Sequence, residues 1–479
     1  MMMNIYGNKK IKTCLTSILS ESDLVILCYD YFPSVYQTFT AKTTLAERQS
    51  SLINHCVNNR QLPTLFNLLK KHNPTVYAHH QNTLQDIIFK NQPKLATSTN
   101  NPFQYSTAVS SDQFIGRWSL VEQIGNEVMR GTGSSYACIG GLRFGKTSLL
   151  YALQDYLQQS HGEVDHVTIP LLMSFKYTQF SSEQAFFAEL LQQLYHKIDQ
   201  DSTPPSKYPK TKIKLDKIRT RKSATELSNK DFVDTLAYIF AELYDEGGAT
   251  RLVILLDEFD KALQYNWHPE LLNHLRSLIG SSEVKDYVRF VIAGSTKSQK
   301  LKINSSPFFQ ELTKIYLTTF DQATVNQLCE RAEGISDKVK DTVWWLSGGN
   351  PFFTQYLLYR ANEQGIQQAT PNTIINLASR LLHEEHYHFE SLAQTIGADA
   401  LRIYGLISQH NDWIDENEII KQIKDLDIKA CLSDLYYHGF ITHEGNWKKY
   451  CRVGNLLVMW YKQEGQRMIE LLSTPNKVV

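Results

Sequence analysis

Residues 137–148 read ACIGGLRFGKTS, and Gly140, Gly145, Lys146 and Thr147 keep the spacing GxxxxGK followed by Ser or Thr. Glycines at those places let the backbone curl so that several N–H groups point at one phosphate. Lys146 would reach the β- and γ-phosphates of a nucleotide, and the Thr147 hydroxyl would hold Mg2+. Gly141 inside the loop and Ser148 just after it complete the candidate nucleotide contacts of this stretch. The helix that follows would add the partial positive charge of its N-terminus. Downstream, LLDEFDK (255–261) closes an apolar run with Asp257 and Glu258. Asp257 would then lie near Mg2+ and Glu258 near the γ-phosphate, where it can polarise a water as general base. A kinase whose nucleophile is a substrate hydroxyl has no need of that glutamate, so the pair favours hydrolysis. Asp260 reads as a helix cap, with a supporting role behind the site as the alternative. Ser295 and Thr296 end VIAGSTKS, where a polar side chain would lie between the two motifs and sense the γ-phosphate, or simply begin a loop.

These residues need strands to carry them. YACI (136–139), VTIPLLMSF (167–175), RLVILL (251–256) and VRFVIAGS (288–295) are short apolar runs separated by helix-like segments. RLVILL is continuous in the manner of a strand buried on both faces of a parallel sheet. Alternation of strands and helices implies right-handed βαβ units and a three-layer α/β domain, mainly parallel and of the ASCE type. Before it, residues 10–80 carry apolar side chains at helical spacing, among them Leu45, Leu52, Ile53 and Cys56, then Leu62, Leu65, Leu68 and Leu69. A small helical bundle over 1–82 fits, followed by a linker over 83–112 whose Asn, Ser, Thr, Gln and Pro content buries no core. After an ATPase domain over 113–318, a helical subdomain is expected over 319–395. A winged helix is expected over 396–479, from the order helix, helix, helix, hairpin with a turn at Gly445–Asn446.

Composition bounds the rest. Lys plus Arg and Asp plus Glu are 49 each in 479 residues, so no global field draws nucleic acid or anionic lipid. The seven cysteines stand singly, with no CxxC pair to suggest zinc or a disulfide framework. No apolar run is long enough to cross a bilayer and no signal-peptide core is apparent, so a cytoplasmic protein without a membrane partner is expected.

Together the motifs resemble those of AAA-like and STAND-type ATPases. FIGRWSLVEQI (114–124) is similar to their entry segment, GGLRFGKTSLL and VILLDEFDKAL to their Walker A and Walker B segments, and LSGGNPFFTQYLLY (346–359) to the start of their helical subdomain. The resemblance implies that Ile115, Gly116 and Arg117 lie against the adenine and that Pro351 contacts the nucleotide. It implies ATP/ADP and Mg2+ as ligands and nucleotide-dependent homo-oligomers. No histidine motif of the kind that locks ADP in the winged helix is evident, and no arginine finger is assigned. Residues 10–80 resemble the effector-associated or death-like domains that precede such ATPases in bacterial conflict systems and bind a like domain on an effector.

One segment stays open. Residues 201–222, within an expected insertion over 201–228, hold eight basic and two acidic residues and three prolines. A phosphate-rich ligand or nucleic acid could dock there, although a solvated loop is the preferred reading. The leading function is therefore a signalling ATPase switch that oligomerises and recruits an effector. A DNA-handling AAA-like ATPase and a scaffold that binds nucleotide structurally are the alternatives.

Overall fold

The computed structural model describes residues 5–40, 43–58, 62–73, 75–77, 101–130, 132–159, 166–176, 179–200, 228–247, 249–295, 306–423, 426–444 and 447–473. The basic segment 201–222, Thr296 and the Gly445–Asn446 turn lie outside them. The chain divides into two units, Met1–Asn100 and Asn101–Val479.

The first unit is helical: α1 (Ile5–Ile18), α2 (Glu21–Tyr31), α3 (Pro33–Tyr36), α4 (Leu45–Asn58) and α5 (Leu62–His72). A reciprocal cap fixes the start of α2, with Ser20 Oγ accepting from Asp23 N and Asp23 Oδ2 accepting from Ser20 N at 3.1 Å. Pro33 supplies the first position of α3, where a missing N–H costs nothing. Ile11, Cys14, Leu15, Leu24, Cys28, Leu52, Ile53, Cys56, Leu65 and Leu69 form the core. Burial pushes the Cys14 and Cys28 thiols up to about 11 and about 12, so they pack as small hydrophobes.

The second unit opens with α6 (Trp118–Met129) and then alternates β1 (Tyr136–Gly140), α7 (Lys146–Gln159), β2 (His166–Ser174), α8 (Glu183–Gln200), α9 (Asn229–Gly247), β3 (Ala249–Asp257), α10 (Phe259–Ala262), α11 (His268–Gly280), β4 (Val288–Gly294), α12 (Pro307–Gln310) and β5 (Thr313–Leu317). The strands form one parallel sheet in the order β2-β3-β4-β1-β5. Side chains alternate across it as the pleat requires. Leu252, Ile254 and Leu256 of β3 enter one core, whereas Val253 and Leu255 enter the other with α6 and α7. That is why RLVILL carries no polar residue after its first.

Beyond the sheet come α13 (Gln322–Cys329), α14 (Asp337–Ser347), α15 (Pro351–Glu363), α16 (Pro371–Glu384) and α17 (His386–Gln409). The chain then forms β6 (Ile414–Asp415), α18 (Glu416–Gln422), α19 (Ile428–Tyr437), β7 (Ile441–His443) and β8 (Lys449–Arg452), with β8 central in a small antiparallel sheet. One continuous core runs from Val325 through Ile469, so the two expected subdomains share their interior. The expected boundary at 395/396 falls inside α17, where Gly397 at φ 86° breaks the helix.

The linker reading fails over 101–112. Phe103 is buried in the helical core, Tyr105 packs edge-on against Tyr356 and Tyr359, and Asn101 Nδ2 donates to Tyr359 O. Two aromatics in a polar stretch are enough to anchor it, because each buries a large apolar area.

Candidate functional site

The phosphate loop leaves the buried end of β1 and enters α7 at Lys146. Gly145 stands at φ 81°, a left-handed conformation that favours glycine, and a side chain there would meet Arg117 Nη1 at 3.3 Å. Lys146 Nζ donates to Gly140 O at 3.0 Å and Gly141 O at 2.7 Å, which poises the ammonium at the mouth of the loop. Burial lowers its pKa, opposed by the carboxylates of Asp260, Glu258 and Asp257. Thr147 Oγ1 donates to Asp257 Oδ2 at 2.9 Å. Burial raises the Asp257 pKa, against the hydrogen bond from Thr147. A hydroxyl and a carboxylate 2.9 Å apart beside the loop suit Mg2+, which takes oxygen ligands and keeps several waters. The Ser148 hydroxyl is turned the other way and accepts the Val109 N–H at 3.1 Å.

Glu258 follows at φ 53°, ψ 40°, left-handed although not glycine, and caps nothing with its side chain. Asp260 is not the helix cap expected of it. It lies inside α10, and its Oδ2 accepts the Ser295 N–H at 2.7 Å. Strand β4 lies between β1 and β3, so this bond ties the end of the middle strand to the Asp257–Glu258 corner. Burial raises the Asp260 pKa, against the Ser295 N–H and Lys146. Its Oδ1 is buried without a hydrogen-bond partner among the described residues.

The entry segment braces this loop from behind. Gly116 has φ 83°, and a methyl there would lie 2.2 Å from Thr324 Cγ2. Ile115 packs on the helical core. The Arg117 guanidinium donates to Phe144 O at 2.6 Å and to Thr318 O, and lies over the Phe320 ring at 4.7 Å. Burial pushes its pKa down to about 10. Arg117 thus spends its fork on main-chain carbonyls of the loop and of the β5 exit. Pro351 is buried at the first position of α15, with Asn350 Oδ1 accepting from Phe352 N at 3.0 Å and Phe353 N at 3.2 Å. The preceding glycines are needed for close approach: a side chain at Gly349 would lie 2.1 Å from Phe320 O, and one at Gly348 would lie 2.5 Å from Gly454 N.

Four further residues meet here that motif spacing does not reveal. Arg143, at φ 59°, pairs with Glu385 at 3.1 Å and lies over the Phe352 ring at 4.2 Å. Phe144 is wholly buried. A methyl placed on Gly439 would come within 2.8 Å of Phe144 Cζ. A methyl on Gly141 would lie 3.4 Å from the Cα of His438, which is itself buried and bonded through Nδ1 to Asp434 O. The one available signal was the pair of non-glycine residues where the loop must turn sharply.

Residues 103–396 match the AAA-like domain family, and residues 11–74 match effector-associated domain 7. Among curated proteins, none matches the chain. Among solved structures, the Walker-type ATPase of Pyrococcus abyssi is 16% identical at a TM-score of 0.47, covering 75% of this chain and 99% of its own. The Aeropyrum pernix ORC2 protein in its ADPNP–ADP complexes is 12% identical at 0.46, covering 78% and 98%. A Thermotoga maritima RuvB mutant is 15% identical at 0.36, covering 76% and 99%. The phosphate loop, the acidic strand end and the extent of the family match agree, and the chain belongs to the AAA-like domain family, a P-loop ATPase core preceded by an effector-associated domain.

Proposed function

We propose that the protein is a STAND-type signalling switch of a bacterial defence system, acting in the cytoplasm. ATP binding and slow hydrolysis would govern its oligomerisation, and its N-terminal helical domain would recruit an effector through a like domain. The observation that carries this reading is the order of parts: an effector-associated module precedes an AAA-like core whose phosphate loop is packed against the C-terminal segment. We read 396–473 as a winged helix. Its α19 offers Lys429 as its single basic residue, which suits packing on the nucleotide site better than reading a DNA groove.

In the proposed reaction, Lys146 turns from the Gly140 and Gly141 carbonyls to the β- and γ-phosphate oxygens. Thr147 and Asp257 would hold Mg2+, which supplies charge neutralisation on those oxygens when bound. Glu258 takes a proton from the attacking water, the water oxygen bonds to the γ-phosphorus, and the bond from phosphorus to the ADP oxygen breaks. Asp260 fixes Ser295 so that the end of β4 faces the same phosphate. The experiment is a mass measurement of the purified Glu258→Gln protein with ADP and with ATP. A larger assembly with ATP alone is expected, and a steady monomer across concentrations in both refutes the switch.

A further inference from the structure

The phosphate loop touches two segments far away in sequence through two residues between its glycines, Arg143 and Phe144. Neither points at the Lys146–Asp257 corner. Phe144 places its ring between Gly141 on one side and Gly439 on the other: methyls there would lie 3.0 and 2.8 Å from ring carbons. Gly439 stands at φ 73° and follows His438 at the end of α19. Beside this contact Tyr316 of β5 stacks on Tyr437 of α19, with ring centroids 4.3 Å apart and planes at 24°. Arg143 reaches Glu385 and Phe352 at the start of the helices that lead into α17. Downstream of Glu385, α17 breaks at Gly397, where an added side chain would meet nothing within 4 Å.

We propose that Arg143 and Phe144 form a clasp by which the phosphate loop itself holds the C-terminal segment shut, so that the loop's occupancy is read by direct contact. The proposal rests on the switch reading above and names the regulation of that same site. The path is short and continuous. Lys146 Nζ holds the Gly141 carbonyl at 2.7 Å, and Gly141 backs both the Phe144 ring and the His438 Cα. When Lys146 turns to phosphate oxygens, the Gly141 carbonyl loses its donor, and the Gly141–Phe144 turn, closed by a 3.4 Å bond, is free to shift. Phe144 then leaves Gly439, and the corner between α19 and β7 loosens from the phosphate loop. Coupling of this kind needs one element with two arrangements that both sites bias.

The test is hydrogen exchange of 436–443 in the full chain without nucleotide, where the clasp is closed, for wild type, Gly439→Ala, Phe144→Ala and the double variant, and again for wild type with a non-hydrolysable ATP analogue, which raises it at least about tenfold. Gly439→Ala sets a methyl against the ring at a left-handed position, so exchange of 436–443 rises at least about tenfold. Phe144→Ala gives a similar rise. The double variant exceeds neither by more than about twofold, since both break one contact. Glu385→Arg loosens the same segment, and Arg143→Glu with Glu385→Arg restores it, a rescue that an unfolded variant would not show. Wild-type exchange in both single variants overturns the clasp, as does full additivity of their effects. A wild type whose mass ignores nucleotide, yet whose exchange at 436–443 rises with the analogue, would sink the switch and leave the clasp standing.

Discussion

His388 sets how the second unit responds to acid. It is buried at the start of α17, with its ring 4.4 Å from Phe352 and near Phe353 and Phe389, and neither ring nitrogen has a hydrogen-bond partner among the described residues. Arg143 lies close enough to oppose a second positive charge, and Glu385 is already paired with Arg143. Burial first, and Arg143 second, push the His388 pKa from 6.5 down to about 3. Between those values the unfolded chain binds the extra proton and the folded one does not. The stabilising contribution of the neutral ring is therefore complete above the unfolded pKa and is lost as pH falls toward the folded one. At about 1.36 kcal/mol per pKa unit, acidification from pH 8 to pH 5 removes roughly 2 kcal/mol through this residue. Carboxylates elsewhere also titrate in that range, so the measurement is a difference. Urea midpoints of wild type and His388→Phe are compared at pH 8 and pH 5, read by the fluorescence of Trp344 and Trp460 in the same core. The variant is expected to be the more stable at both, because it buries no bare nitrogen, and its lead should widen by about 2 kcal/mol at pH 5. Parallel loss of stability in the two proteins refutes the argument.

Three other outcomes are expected. Lys146→Ala should lower ATP and ADP affinity by at least about a hundredfold in a fluorescent-nucleotide titration, since no other described ammonium stands at the Gly140 and Gly141 carbonyls. Asp260→Ala should cost about 1.5–3 kcal/mol in urea unfolding by removing a charged acceptor from the Ser295 N–H, with Asp260→Asn recovering most of it and Asp260→Ala also slowing hydrolysis. On the first unit, Ile26 and Tyr29 are 58% and 65% exposed on one side of α2, next to Tyr36. Tyr29→Arg should abolish capture of an effector's like domain at unchanged helicity and unchanged ATP turnover, measured by pull-down, circular dichroism and phosphate release.

What was readable along the chain was what repeats locally. RLVILL announced a strand buried on both faces because its alternate residues had to satisfy two apolar layers. GxxxxGKT announced its loop because the left-handed turn at Gly145 favours glycine. The limits were equally physical. The linker reading of 101–112 weighed average polarity, yet Phe103 and Tyr105 gain their energy from α15, about 250 residues away, which no window along the sequence contains. Asp260 looked like a cap because caps are the commonest use of an aspartate there, and its true partner, Ser295, follows a whole α-helix and strand later. The motif assigns no role to Arg143 and Phe144, because their partners, Glu385, Phe352 and Gly439, are assembled by the fold alone.

The backbone at Arg143 bears on whether that assembly is incidental. Among the described residues, the non-glycine positions with positive φ are Arg143, Glu258 and Trp447, and the first two flank the place where phosphates would bind. Each such residue costs about 1–3 kcal/mol relative to glycine or an ordinary conformation, so it persists only where the surrounding structure holds it. At Glu258 the proposed general base would account for it. Glycine at 143 would relax the loop and still leave Gly140, Gly145 and Lys146 to bind phosphate, so phosphate binding does not explain the arginine. What glycine would forfeit is the pair with Glu385 and the contact over Phe352. Those two contacts hold the loop to Phe352 of α15 and to the start of α17, which is where the proposed clasp would couple the loop to the C-terminal segment.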